Sequence, residues 1–190
     1  MTVERTRRNR KLDRPRERVL EEAWRLLAEK GLADLTLAEL GRRVDTSASH
    51  LLYYFGSKDD LLLEVVRWSE SQLREARAAA LATGSVQTRL RRFCELYLPS
   101  EPGDPRWLLW IELWPRALRS TSLGEHYGDF DAEWRADLAA LLEEAGARDA
   151  TARARRICAL LDGLSVALVL GEDGLTVKDA WKHVRALLPD

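Results

Sequence analysis

Ser47, Ala48, Ser49, His50, Tyr53 and Tyr54 fall on one side of a short stretch whose other side is Leu51, Leu52 and Phe55. Hydroxyls, an imidazole and phenols can hydrogen-bond base edges and phosphate oxygens without a deep pocket. A helix so equipped can read the major groove if a second helix braces it across a sharp turn. The residues before it have that character. Thr36 and Glu39 stand three apart ahead of Leu37, Leu40 and Val44, as an N-cap and its reciprocal partner would. Asp45 tolerates a left-handed turn better than most non-glycine residues. Thr46 and Ser47 offer cap oxygens for a second helix from about Ala48. The stretch Thr36 to Lys58 therefore predicts a helix-turn-helix.

The charge distribution points the same way. Residues 1–18 hold eight basic and three acidic groups, a local +5 in a chain of formal charge −1. An isolated basic arm in a slightly acidic chain implies a local polyanion contact, with Arg7, Arg8, Arg10 and Lys11 as candidates for phosphates or the minor groove. Residues 1–58 carry 13 basic and 9 acidic groups, +4, and residues 59–190 carry 17 and 22, −5. The two parts are expected to do different work: 1–58 as basic arm and DNA-binding domain, 59–190 as a helical domain for ligand binding and dimerisation.

The segment Thr36 to Lys58 resembles the helix-turn-helix of TetR-type transcriptional regulators. The spacing from Thr36 to Phe55 matches, and Tyr53, Tyr54, Phe55, Ser57 and Lys58 fall on that family's closing motif. Val44, Asp45 and Thr46 depart from the usual alanine-glycine-valine turn. The resemblance implies that Thr36, Ser47, Ala48, Ser49, His50, Tyr53, Tyr54 and Lys58 lie at an operator. Ser49 and His50 are the candidates for base edges; Tyr53, Tyr54 and Lys58 are those for phosphates and register.

With 46% hydrophobic and 32% charged residues, the 190-residue chain has the composition of a soluble globular protein. It lacks both the apolar run of a membrane span and the apolar block of a signal peptide, so a cytoplasmic protein without membrane partners is expected. Cys94 and Cys158 make neither a disulfide framework nor a metal site. His50, His126 and His183 lie in different predicted helices, and no phosphate loop, nucleophile elbow or paired-carboxylate motif occurs. No catalysis, cofactor or metal is expected.

Helical periodicity runs almost throughout, predicting an all-α fold of about nine helices whose first three form the DNA-binding unit. Gly31, Gly84, Gly146 and the Gly171–Gly174 turn separate elements. The helix from Arg106 to Arg119 is apolar nearly all round, with Trp107, Trp110, Trp114 and Leu118 on one face and Pro115 inside it. The next helix adds Tyr127, Phe130 and Trp134. Two readings stand open: a packed aromatic core, or a cavity walled by Trp107, Trp110, Trp114, Phe130 and Trp134, with Glu112 as counter-charge. Such a cavity suits a flat aromatic compound or an organic cation.

Ile157, Leu160, Leu161, Leu164, Ala167 and Leu168 make a wide apolar stripe in which Gly163 permits close approach. Trp181, Val184 and Leu188 make another. These are candidates for a homodimer interface, or else for a buried intramolecular core. In the resembled family two C-terminal helices per subunit form a four-helix interface, and Leu109–Leu118 (LWIELWPRAL) is similar to the family's betaine-regulator branch. One short recognition helix contacts few bases, which also favours two half-sites read by a symmetric dimer. The expected function is a dimeric, effector-responsive repressor. The alternatives are a DNA-binding dimer without an inducer and a helical binding protein that has lost DNA recognition.

Overall fold

The computed structural model describes residues 16–119 and 121–188, apart from the side chains at 121, 122 and 125–127. The arm residues Arg7, Arg8, Arg10 and Lys11 lie outside that range. The fold is all-α, as expected: α1 (Arg16–Asp34), α2 (Leu37–Arg43), α3 (Ala48–Phe55), α4 (Lys58–Ala82), α5 (Val86–Tyr97), α6 (Pro105–Ala117), α7 (Thr121–Glu144), α8 (Ala150–Leu170) and α9 (Val177–Arg185). Ser and Thr side chains set several helix starts. Thr36, Ser47, Ser57, Ser85 and Thr176 each accept the backbone N–H three residues on, the N-cap geometry. Glu39 does not reach back to complete a capping box. Its carboxylate pairs instead with Arg42, Lys30 and Arg43.

Two apolar cores share the molecule. The first joins α1, α2 and α3 to Leu61, Leu62, Val65 and Val66 of α4, with Leu109 and Leu113 of α6 and Leu123 of α7 completing it. Each such side chain contributes about 1.5–3 kcal/mol when withdrawn from water, so packing, more than propensity, anchors α4 to the reading unit. The second core gathers α5, α7, α8 and α9 around Phe93, Leu138, Leu142 and Ile157. Trp110 packs against both. α1 does not stop at Gly31 but kinks there, at φ 75°, and continues to Asp34. Pro115 sits on an exposed face near the end of α6 and does not break it.

The apolar stripe of α8 divides into two faces. Ile157, Leu161 and Leu168, with Val184 of α9, are buried in the chain's own second core and are unavailable to a partner. Leu160 and Leu164 pack against the edge of that core but keep exposed surface, and with Gly163 and Ala167 they lie beside Leu170, which is 71% exposed. Trp181 and Leu188 also keep exposed surface. A helix apolar around most of its circumference shows no boundary in its sequence between intramolecular and outward contacts.

Candidate functional site

The helix-turn-helix closes on Asp45, whose φ of 53° is left-handed, with Thr46 N–H bonded to the Gly41 carbonyl at 2.8 Å. Backbone packs so closely there that a Cβ on Gly41 would lie 2.8 Å from the Thr46 carbonyl oxygen. Gly41→Ala is therefore expected to destabilise the protein by about 1–3 kcal/mol through overpacking, read by chemical denaturation, with loss of specific DNA binding. Unchanged stability would show that the turn relaxes freely. Below the turn Leu51 and Phe55 are buried. Leu52, expected inward, is 42% exposed and joins the outer face.

On that face Tyr53 is 83% exposed and meets Tyr54 edge-on at 5.6 Å. Ser49 is exposed, and Ala48 and His50 are half-buried. His50 Nδ1 lies 2.8 Å from Thr46 Oγ1, and its ring rests against Tyr54 at 4.9 Å. With Nδ1 so engaged, a DNA contact falls to Nε2. Thr36 and Ser47 accept capping N–H groups, and their hydroxyl hydrogens can still donate. Lys58 is half-buried and donates to the Leu35 carbonyl at 2.5 Å. Burial lowers its pKa, and an ammonium has two further donors for a phosphate.

At the other end, five helices converge on a small cavity of about 30 Å³ that is partly open to solvent. Its walls include Trp107, Trp110 and Trp114 from α6 and Phe130 and Trp134 from α7. Tyr97 of α5 joins them, packing edge-on to Trp134 at 5.1 Å and tilted against Trp107 at 5.8 Å. Trp110 meets Phe130 edge-on at 5.5 Å. Four polar residues complete the lining: Glu70 of α4, Arg106 of α6, Asp131 of α7 and Asp162 of α8.

The polar residues are fixed in place. Tyr97 Oη donates to Asp162 at 2.7 Å, and Arg135 donates to Asp131 at 2.7 Å. Burial raises the Asp162 pKa, the Tyr97 hydrogen bond opposes that, and the Asp131 charge adds to it. A cation in the cavity would favour the ionised form. Arg106 donates to the carbonyls of Tyr97 and Leu96 and stacks over Trp107 at 5.6 Å, so its charge is held at the rim of α5. Behind the cavity Arg77 lies over Trp134 at 4.6 Å and pairs with Glu133 and Asp137.

Glu112 does not join this lining. It points to the opposite side of α6, where its carboxylate accepts the Leu32 N–H at 3.0 Å, beside the Gly31 kink. A Cβ on Gly31 would lie 3.4 Å from Glu112 Oε1, and its positive φ strains other residues. Glu70, Tyr97, Arg106, Asp131 and Asp162 were not foreseeable as cavity residues. They come from five separate helices, so no sequence spacing links them.

This arrangement, a helix-turn-helix packed on a helical body with its own cavity, defines an all-helical transcriptional regulator. Residues 19–65 match the description "Bacterial regulatory proteins, tetR family" and residues 86–190 match "BetI-type transcriptional repressor, C-terminal", so the chain belongs to the TetR family, in its BetI-type branch. It is 29% identical over 154 residues to the HTH-type transcriptional regulator BetI of Agrobacterium fabrum, covering 80% of this chain and 75% of that one. The BetI of Burkholderia mallei is 28% identical over 174 residues, 88% of each chain. Among solved structures, a transcriptional regulator from Saccharomonospora viridis in complex with choline superposes with a TM-score of 0.78 at 28% identity, over 89% of this chain and 92% of that one. A TetR regulator from Haloarcula marismortui shares the fold at TM-score 0.78 and 20% identity, over 90% and 95%. The family is one of regulators, not enzymes. No described helix is long and apolar enough to cross a membrane.

Proposed function

We propose that this chain is a cytoplasmic repressor that binds a palindromic operator as a homodimer and is released by a small quaternary ammonium compound of the choline type. The observation that carries the ligand class is the cavity lining. Four indoles, a phenol and a phenyl ring surround a space edged by Glu70, Asp131 and Asp162 against Arg106 alone. With Arg135 paired to Asp131, three carboxylates less two guanidinium groups leave a formal −1, which favours a cation over an anion. Aromatic faces attract an alkylated ammonium by about 0.5–2 kcal/mol each, most strongly when it is desolvated. A neutral aromatic ligand would leave that remaining charge without a counter-ion. The choline complex of the Saccharomonospora relative supports the same class.

At the operator, Ser49 and His50 meet base edges, while Thr36, Ser47, Ala48, Tyr53, Tyr54 and Lys58 set register on the backbone. Arg7, Arg8, Arg10 and Lys11 add phosphate or minor-groove contacts. Leu160, Gly163, Leu164 and Ala167, with Trp181 and Leu188, supply the self-complementary surface that pairs two reading helices roughly 34–36 Å apart. α6 carries cavity walls on one side and Glu112 on the other. Ligand seated against Trp110 and Trp114 thus acts on the Gly31–Leu32 corner of the reading unit and shifts the dimer toward a non-matching spacing.

The test is operator affinity with and without choline, using DNA from the region upstream of the coding sequence. The control is the neutral isostere of choline with a quaternary carbon in place of nitrogen. Choline is expected to weaken operator binding about tenfold or more, within the usual range of coupling, and the isostere to do nothing. Equal effects of the two would remove the cation reading. Choline binding without any change at the operator would remove the switch.

A further inference from the structure

The Glu70 carboxylate is nearly withdrawn from water, its side chain 12% exposed, and both of its oxygens are engaged by indoles. Oε1 accepts the Trp110 Nε1–H at 3.1 Å and Oε2 accepts the Trp134 Nε1–H at 3.0 Å. The Arg106 guanidinium stands 3.9 Å from Oε1. Burying a carboxylate against two neutral donors and one distant cation is an expensive way to join three helices, because apolar residues of similar volume do so at lower cost. What the carboxylate adds is orientation. An indole has a single donor, so fixing that N–H fixes the rotation of the ring. One residue on α4 thereby sets two cavity walls that come from α6 and α7. An anion on both N–H groups also pushes electron density into the rings and deepens the negative faces that attract a cation.

We propose that Glu70 is the positioning residue of the cavity, orienting Trp110 and Trp134 together so that their rings, not the Glu70 charge, select the ligand. The ligand part rests on the quaternary ammonium reading above; the orienting part does not. Counter-charge is left to Asp162, since Asp131 is paired with Arg135 and both Glu70 oxygens accept indole N–H groups.

Glu70→Gln keeps the shape of the side chain but turns an amide NH2 toward one of the two indole donors. Choline affinity, measured by titration calorimetry, is expected to fall about tenfold or more, the scale of one lost charge-assisted hydrogen bond. In a Trp134→Phe background the opposed donor is gone, and the amide oxygen can serve Trp110 and Arg106. The same E70Q change is then expected to cost less than about threefold, a coupling that a double-mutant cycle isolates. Glu70→Asp keeps the charge but draws the oxygens back by one methylene. Positioning predicts that this variant also loses affinity, and a plain counter-charge predicts that it does not.

A second readout needs no ligand. In protein carrying nitrogen-labelled tryptophan, the indole N–H resonances of Trp110 and Trp134, assigned through W110F and W134F, are expected to move in E70Q and E70D. The indoles remote from Glu70 are expected to stay in place. Unmoved Trp110 and Trp134 resonances, equal E70Q losses in both backgrounds, or full affinity in E70D would each overturn the proposal. If choline does not bind the wild-type protein while both resonances move, the orienting role stands and the quaternary ammonium reading falls.

Discussion

Trp110→Ala is expected to reduce choline affinity about 30-fold or more, the equivalent of about 2 kcal/mol for a desolvated cation–π contact. Trp110 ties the cavity to both cores of the molecule. Its ring meets Phe130 at 5.5 Å, its N–H is held by Glu70 at 3.1 Å, and it packs against both cores. Truncation removes one aromatic face and also frees Glu70 Oε1, whose charge Arg106 at 3.9 Å then compensates only partly. Calorimetry gives the affinity, and thermal unfolding separates binding from stability. Trp110→Phe keeps a ring but removes the donor, so it should fall between wild type and Trp110→Ala. If Trp110→Ala binds choline within about threefold of wild type, a cation cage is the wrong description of the cavity.

The ease of reading differed between the two ends of the molecule for a physical reason. The helix-turn-helix is local: its caps, turn and inward leucines are all within about one helix length of each other, so Thr36, Asp45 and Ser47 appear in sequence order with their roles attached. Gly41 carries no such signal, because its constraint is a close approach to Thr46, which no periodicity marks. The tryptophans of α6 were legible from their spacing, and the cavity they line includes each of the five aromatic residues singled out. Its polar partners were not, because Glu70, Asp131 and Asp162 each look like one more acidic residue on a solvated helix face until tertiary packing brings them together. Glu112 shows the converse error. It sits among tryptophans in the sequence, yet two residues along a helix turn a side chain about 200° away, and its partner is a backbone amide 80 positions earlier. The α8 stripe is ambiguous in the same manner, since Ile157 and Leu160 are both apolar but only Ile157 is fully buried.

Glu112→Ala is expected to leave choline binding intact and yet largely disconnect it from DNA. The carboxylate lines no part of the cavity, so ligand affinity should stay within about twofold. Its loss strands the Leu32 amide at the Gly31 kink, a part-buried donor without its acceptor, which costs about 1–3 kcal/mol of stability. The larger consequence is at the corner itself. Leu109 and Leu113 of α6 pack into the core of the reading unit, but apolar packing tolerates small sliding, whereas a hydrogen bond to a kinked backbone transmits direction. Without it, movement of α6 under the ligand reaches α1 weakly. The choline-induced drop in operator affinity is expected to shrink from about tenfold or more to less than about threefold. Glu112→Gln retains a carbonyl oxygen for the Leu32 N–H and should respond nearly as wild type. A Glu112→Ala protein that releases its operator as fully as wild type would move the coupling to α4, which also touches the cavity, through Glu70, and the first core, through Leu62 and Val66.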